Sequence, residues 1–227
     1  MKQRINIVID LETASLRSDA AIMSIAAQVF DPLALIAVHR SSSDLFPADT
    51  ASPSPQFTAV VNVASCITAG LDVDKATCRW WSERTDEAKA SVLATPVLLA
   101  SALEELSKWL DLLRSHLDCE VKIWCQGTDF DIPILANAFR VCGLELPWRH
   151  TDVRDARTFI LEGLEDLFGP EERPYDRIPP MPEGEAWVAH SALSDARRTA
   201  WSIANVNAMQ AELLAKVEKR VIPAKAK

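Results

Sequence analysis

Glycine is scarce in this chain, six among 227 residues, and none stands in a Gly-x-x-x-x-Gly-Lys-Ser/Thr run. A backbone cradle for a nucleoside triphosphate is therefore not encoded. The five cysteines, Cys66, Cys78, Cys119, Cys125 and Cys142, are scattered and never form a Cys-x-x-Cys pair. That argues against a zinc site or a disulfide framework and for reduced, mostly buried thiols. No apolar stretch reaches the roughly 20 residues of a membrane span, and the N-terminus lacks the basic, apolar and small-residue succession of a secretory signal. No membrane association and a cytoplasmic location are expected. Positive charge is also short, since 24 Lys and Arg against 32 Asp and Glu leave a net charge of −8. This weighs against a broad basic face that coats nucleic acid. Contact with phosphate through bound cations escapes the objection, because the metal locally reverses the sign.

What is present is enough for one buried α/β core over residues 1–227, with no shift in composition that marks a second domain. Ile5 to Asp10 is a near-continuous apolar run rich in β-branched residues, the pattern of a strand covered on both faces. Ala21 to Phe30, Leu35 to His39 and a segment around Phe57 to Val63 read as further strands, with a polar, proline-bearing loop from Ser41 to Pro55 before the last. A helix is predicted from about Asp74 through Trp80 and Trp81. Another is predicted from about Val97 to Leu117, where Leu99, Leu103, Leu106, Leu110, Leu113 and Leu117 recur at steps of four and three. Val121 to Cys125 returns as a strand, and Thr128 or Asp129 is expected to cap the helix that follows and ends near Gly143. Residues 169–185 hold five of the thirteen prolines and read as a long loop. The last helix starts at Ser191 and leads into a basic C-terminal tail. The order predicts a mixed central sheet flanked by helices.

On that layout Asp10 and Glu12 follow the first strand, two residues apart and thus on one side of it if the strand continues that far. Asp131 falls in the first turn of a helix directly after a strand, and Asp195 in the first turn or two of the last helix, where carboxylates are favoured by the helix dipole. Strand ends and helix starts of this kind cluster where α/β sheets place their sites. Four acids packed together would raise one another's pKa unless cations neutralised them. Two hard divalent cations, Mg²⁺ or Mn²⁺, suit an all-oxygen set and can stabilise both the attacking and the leaving oxygen of a phosphodiester. His190, on the loop entering the last helix, is placed as general base for the attacking water. The constellation implies metal-dependent phosphodiester hydrolysis.

Three segments carry it: Val8 to Thr13 (VIDLET), Trp124 to Leu135 (WCQGTDFDIPIL) and His190 to Ala196 (HSALSDA). Together they resemble the three motifs of the DEDDh group of 3'-5' exonucleases, proofreading-type enzymes with an RNase H-like fold. The resemblance implies Asp10, Glu12, Asp131 and Asp195 as metal ligands and His190 as the base. It also implies Leu11 and Thr13 lining the pocket of the terminal nucleotide. Gln126 stands where many members carry Asn, so it bears on substrate positioning. The tyrosine-based sister group does not fit, because Tyr175, the only tyrosine, is too far from Asp195 for that motif. The segment TCRWWSERTDEA and the spacing Trp124-x-x-Gly127-x-x-Phe130-Asp131 resemble compact phage-type exonucleases and a related bacterial exoribonuclease. Single-stranded DNA or RNA 3' ends are therefore the expected partners and nucleoside 5'-monophosphates the expected products. DNA is favoured, and a second copy of the chain is left open as a partner.

Two other readings stay beside these. A non-catalytic nucleic-acid-binding module could keep the fold, although intact acids and histidine argue against it. Trp80 and Trp81 suit either core packing or stacking of a base. Asp152 and Asp155, near Arg149, Arg154 and Arg157, are expected to form ion pairs at the surface or just behind the site, and Asp129 is expected to cap rather than to ligate.

Overall fold

The computed structural model describes residues 3–33, 54–182 and 187–221. The strand expected at Leu35 to His39 and most of the following loop lie outside these residues. Five strands form one mixed sheet in the order β3-β2-β1-β4-β5, with β1 spanning Gln3–Thr13, β2 Ile22–Phe30, β3 Gln56–Val60, β4 Cys119–Cys125 and β5 Val153–Asp155. The pairs β1–β2 and β2–β3 are antiparallel, whereas β1–β4 and β4–β5 are parallel.

Alternation along β1 sets the whole architecture. Ile5, Ile7, Ile9 and Leu11 enter the larger core, which packs on α4 (Leu99–Leu117) and α5 (Asp131–Val141). Val8 faces the opposite side, into a smaller core with α6 (Ala156–Phe168) and α7 (Ala192–Val221). Period two then places Asp10 and Glu12 on the side of α7, the helix that carries Asp195. The leucine repeat of α4 behaves as its spacing predicts, since Leu99, Leu103, Leu106, Leu110 and Leu113 are all fully buried.

Three short helices complete the fold: α1 (Val63–Thr68), α2 (Lys75–Ser82) and α3 (Asp86–Leu93). The strand expected to run to Val63 stops at Val60, because the Asn62 side chain accepts the Ala64 N–H and starts α1 there. Asp74 caps α2 as expected. The cap predicted for α5 is different. Phe130 precedes that helix without a side-chain hydrogen bond, and the Thr128 N–H and hydroxyl are both committed to the Asp155 carboxylate. Asp129 is exposed. The proline-rich loop holds a 3-10 turn at Pro174–Arg177 and is tied to α7 by the Trp201 indole N–H donating to the Pro179 carbonyl at 2.8 Å. Among the described residues no helix is long and apolar enough to cross a membrane.

Candidate active site

The parallel ladder of β1 with β4 ends at Val8 and Trp124, and β1 runs on through Asp10, Leu11 and Glu12 to a bulge at Glu12 and Thr13. Beyond β4 the chain turns at Gly127, whose φ of +103° suits only glycine and whose missing Cβ leaves room for the Arg157 guanidinium. The turn delivers Asp131 into the first turn of α5, beside the free end of β1. Asp195 arrives in the first turn of α7 on the same face as Asp10 and Glu12. A cleft of about 550 Å³ results, lined by Asp10, Leu11, Glu12, Gln126, Asp131, His190 and Asp195 among others.

Carboxylate oxygens of Asp10, Glu12 and Asp195 lie within 4.8 Å of one another. Asp131 is buried at the wall of the same cleft, outside that triple, and accepts hydrogen bonds from the backbone of Leu11 and from its own N–H. Crowding of acids in a site shielded from water leaves a clear electrostatic signature. Burial first, and then the charges of Asp131, Glu12 and Asp195, push the Asp10 carboxyl well above its ordinary value. Burial with Asp195 and Asp131 raises Glu12 to about 8. Burial raises Asp131 to about 7, against the backbone hydrogen bonds that favour its charged form. The donor set is all oxygen and anionic, which fits a hard divalent cation and no soft one. Ser24 lies opposite Glu12 across the β1–β2 ladder, and its buried hydroxyl finds no hydrogen-bond partner among the described residues. A pocket with this excess of negative charge and an unpartnered hydroxyl is what a cation with its water shell would satisfy.

His190 holds its place through its backbone. It adopts φ +62°, and its N–H donates to Asp195 Oδ2 at 2.9 Å, so the histidine and the carboxylate share one turn. Its ring meets the Trp80 indole edge-on with 4.7 Å between centroids. The two tryptophans of α2 differ in burial. Trp81 is buried and donates to the Thr13 carbonyl at 2.9 Å, while Trp80 stays 37% exposed beside His190. Thr13 directs its hydroxyl to the Ser15 carbonyl and Leu11 reaches the cleft. The Gln126 amide is held at both ends, its N–H donating to the Tyr175 hydroxyl at 2.7 Å and its oxygen accepting from Thr199 at 3.4 Å. Tyr175 therefore lines the cleft despite its distance along the chain, as do Phe130, Arg157 and Arg198.

Asp152 and Asp155 have structural partners. Asp152 is buried between Lys122 Nζ at 2.8 Å and the Arg149 guanidinium at 3.1 Å. The ion pair with Arg149 is the one expected, and Lys122 of β4 adds a second, buried partner not expected from the sequence. Asp155 caps α6 and holds Thr128, so it steadies the turn before Asp131 rather than pairing with an arginine.

Comparison with known proteins gives this geometry a family. A family model described as the Rv2179c-like domain, a 3'-5' exoribonuclease domain, matches residues 5–207. The chain belongs to that family. It is 25% identical over 213 residues to an exodeoxyribonuclease of Enterobacteria phage T4, covering 83% of this chain and 82% of the phage protein. The crystal structure of cell-death related nuclease 4 (CRN-4) superposes with a TM-score of 0.51 at 14% identity. That match covers 94% of this chain and 65% of the nuclease chain, so this chain spans about two thirds of that neighbour's length, and the likeness supports the RNase H-like fold expected from the motifs. Membership of that family makes the protein a 3'-5' exonuclease acting on nucleic acid, and the carboxylate triple is compatible with a divalent metal.

Proposed function

We propose that this nuclease removes nucleotides one at a time from the 3' end of single-stranded RNA and releases nucleoside 5'-monophosphates. The observation that carries the proposal is the meeting of Asp10, Glu12 and Asp195 within 4.8 Å, with Asp131 and His190 on the walls of the same cleft. Family membership favours RNA over the DNA suggested by the phage-type motifs, because the family description spans nearly the whole chain. The phage exodeoxyribonuclease, similar over most of its length, supports DNA as the second reading.

Asp10, Glu12 and Asp195 would hold one divalent cation and Asp131 would help to hold a second. Mg²⁺ or Mn²⁺ so bound supplies positive charge to the scissile phosphate. The protein's own groups do the rest. The oxygen of a water joins the phosphorus of the terminal nucleotide, the bond from phosphorus to the upstream 3' oxygen breaks, and the departing oxygen takes a proton from solvent. The His190 imidazole takes the proton given up by the water. Leu11 lines the floor beneath the terminal nucleotide and Gln126, fixed by Tyr175 and Thr199, orients it. Against the four carboxylates on the cleft wall, Arg157 and Arg198 supply the fixed positive charge that lets a polyanion enter.

Matched RNA and DNA oligomers carrying a label at either end test this directly. Stepwise loss from the 3' end of RNA with Mn²⁺, none with EDTA and none for Asp10→Asn are the expected results. Cleavage that persists without divalent metal contradicts the mechanism, and faster digestion of the DNA oligomer moves the preference to the second reading.

A further inference from the structure

A second cavity, of about 350 Å³, opens beside the acidic cleft and shares Tyr175, Arg198 and Ser202 with it. Its volume falls in the range of sites for small organic groups. The walls are aromatic and apolar, with Trp187, Trp201 and Tyr175 around Ile178 and Pro179. The one cation on the wall is Arg198, whose guanidinium lies over the Trp187 ring at 4.6 Å and forms no ion pair among the described residues. Trp187 is 44% exposed, a large ring open to solvent at the rim, and its indole N–H donates to Asp195 Oδ1 at 3.0 Å. Carboxylate, indole and guanidinium thus form one continuous path out of the cleft. Along α7, Arg198 and Trp201 lie roughly 4.5 and 9 Å beyond Asp195 at 1.5 Å per residue. This places the cavity a short step along α7 from the carboxylate triple.

Flat aromatic faces with an interleaved arginine suit nucleic-acid bases better than any other ligand class. In a chain of net charge −8, an arginine with no carboxylate partner among the described residues and set between two sites points to an anionic connector between them. We propose that this cavity is an upstream subsite: it receives the base of the third nucleotide from the 3' end, stacked on Trp187 and Trp201, with Arg198 on the phosphate that links the second and third nucleotides. The subsite rests on the nuclease reading above and deepens it. Its consequence is a preference for length. A dinucleotide leaves the cavity empty, whereas a pentanucleotide fills it, and stacking one base corresponds to roughly 5- to 150-fold in affinity.

The readout is the ratio of kcat/KM for an adenylate pentanucleotide to that for the dinucleotide, measured on the full chain with Mn²⁺. A ratio of about 10 or more is expected for the unaltered protein, within the stacking range. Trp187→Ala and Arg198→Ala bring it towards 1, whatever they do to each substrate alone. Trp187→Phe keeps the ring, loses the N–H to Asp195, and so retains the ratio while lowering both rates. A pentanucleotide with an abasic site at the third position from the 3' end checks the same point on the unaltered protein, independently of how any variant folds. It should be cut no better than the dinucleotide. Equal cleavage of intact and abasic pentanucleotides, or a ratio near 1 in an active enzyme, overturns the subsite and leaves the nuclease reading standing. Absence of metal-dependent cleavage of every oligomer would instead overturn the nuclease reading.

Discussion

His190 combines a role in the site with an unfavourable backbone. A side chain at φ +62° pays a steric penalty that glycine avoids, of about 1–2 kcal/mol. The penalty is held in place by the N–H bond to Asp195 and the Trp80 edge, so strain and site geometry are one feature. His190→Ala should lower kcat by roughly 10²–10⁴, the usual worth of a general base. His190→Gly should be as inactive yet more stable than His190→Ala by about 1 kcal/mol, because only glycine relaxes there. Urea unfolding of the two variants, set beside their single-turnover rates, separates the effects. Equal stability would mean that the left-handed turn costs nothing. The five polar side chains were legible in the sequence because each stands at a strand end or a helix start with fixed local spacing. Tyr175 and Trp187 were not, since no spacing rule says that a proline-rich loop and the residues just after it fold back over the last helix.

Among the elements, legibility followed amphipathic pattern. The alternation of β1 and the leucine repeat of α4 announce themselves, whereas α3, with its polar and mixed surface, and α1, six residues rich in β-branched types, do not. α6 is missed for another reason. It meets α7 at Gly163, where an added Cβ would sit 2.4 Å from Val206 Cγ1, a contact invisible to any local rule. Val206 is β-branched and stiff, so it yields poorly. Gly163→Ala should therefore destabilise by about 1–3 kcal/mol through overpacking, even though alanine is the better helix former. Adding Val206→Ala should recover part of that loss in thermal melts. Independent, additive losses would show that the two helices do not touch there. The edge pair β4–β5 depends instead on charge. Burial works against the Asp152 carboxylate, but hydrogen bonds from Arg149 and Lys122 outweigh it and hold it well below the usual range. Asp152→Asn leaves Lys122 with only Glu120 at 3.4 Å, and the loss expected for breaking a buried pair is about 3–5 kcal/mol. A chemical denaturation curve near neutral pH checks it, and a loss below 1 kcal/mol would show the pair to be replaceable.

For the whole molecule, the acidic cleft couples folding to metal and to pH. In the unfolded chain the acids of the site titrate near 4, whereas in the folded, metal-free protein burial holds Asp131 near 7, and burial with repulsion from neighbouring acids holds Glu12 near 8 and Asp10 well above its ordinary value. Between these limits the native state binds more protons than the unfolded state, so stability falls as pH rises. The contribution is complete below about pH 4 and is lost as the pH climbs through the raised folded values. Divalent metal reverses the trend, since it binds the ionised carboxylates and displaces their protons, and its affinity grows with pH. The melting temperature of protein stripped with EDTA should fall by on the order of 5 °C between pH 6 and pH 9. Millimolar Mn²⁺ should raise it, and by more at pH 9 than at pH 6. Asp10→Asn removes one of the repelling charges, so the metal-free slope should flatten and the response to Mn²⁺ should weaken. A metal-free melting temperature that is level or rising across that range would mean that the carboxylates do not repel one another in the folded chain, and the cleft would lose its claim to hold cations.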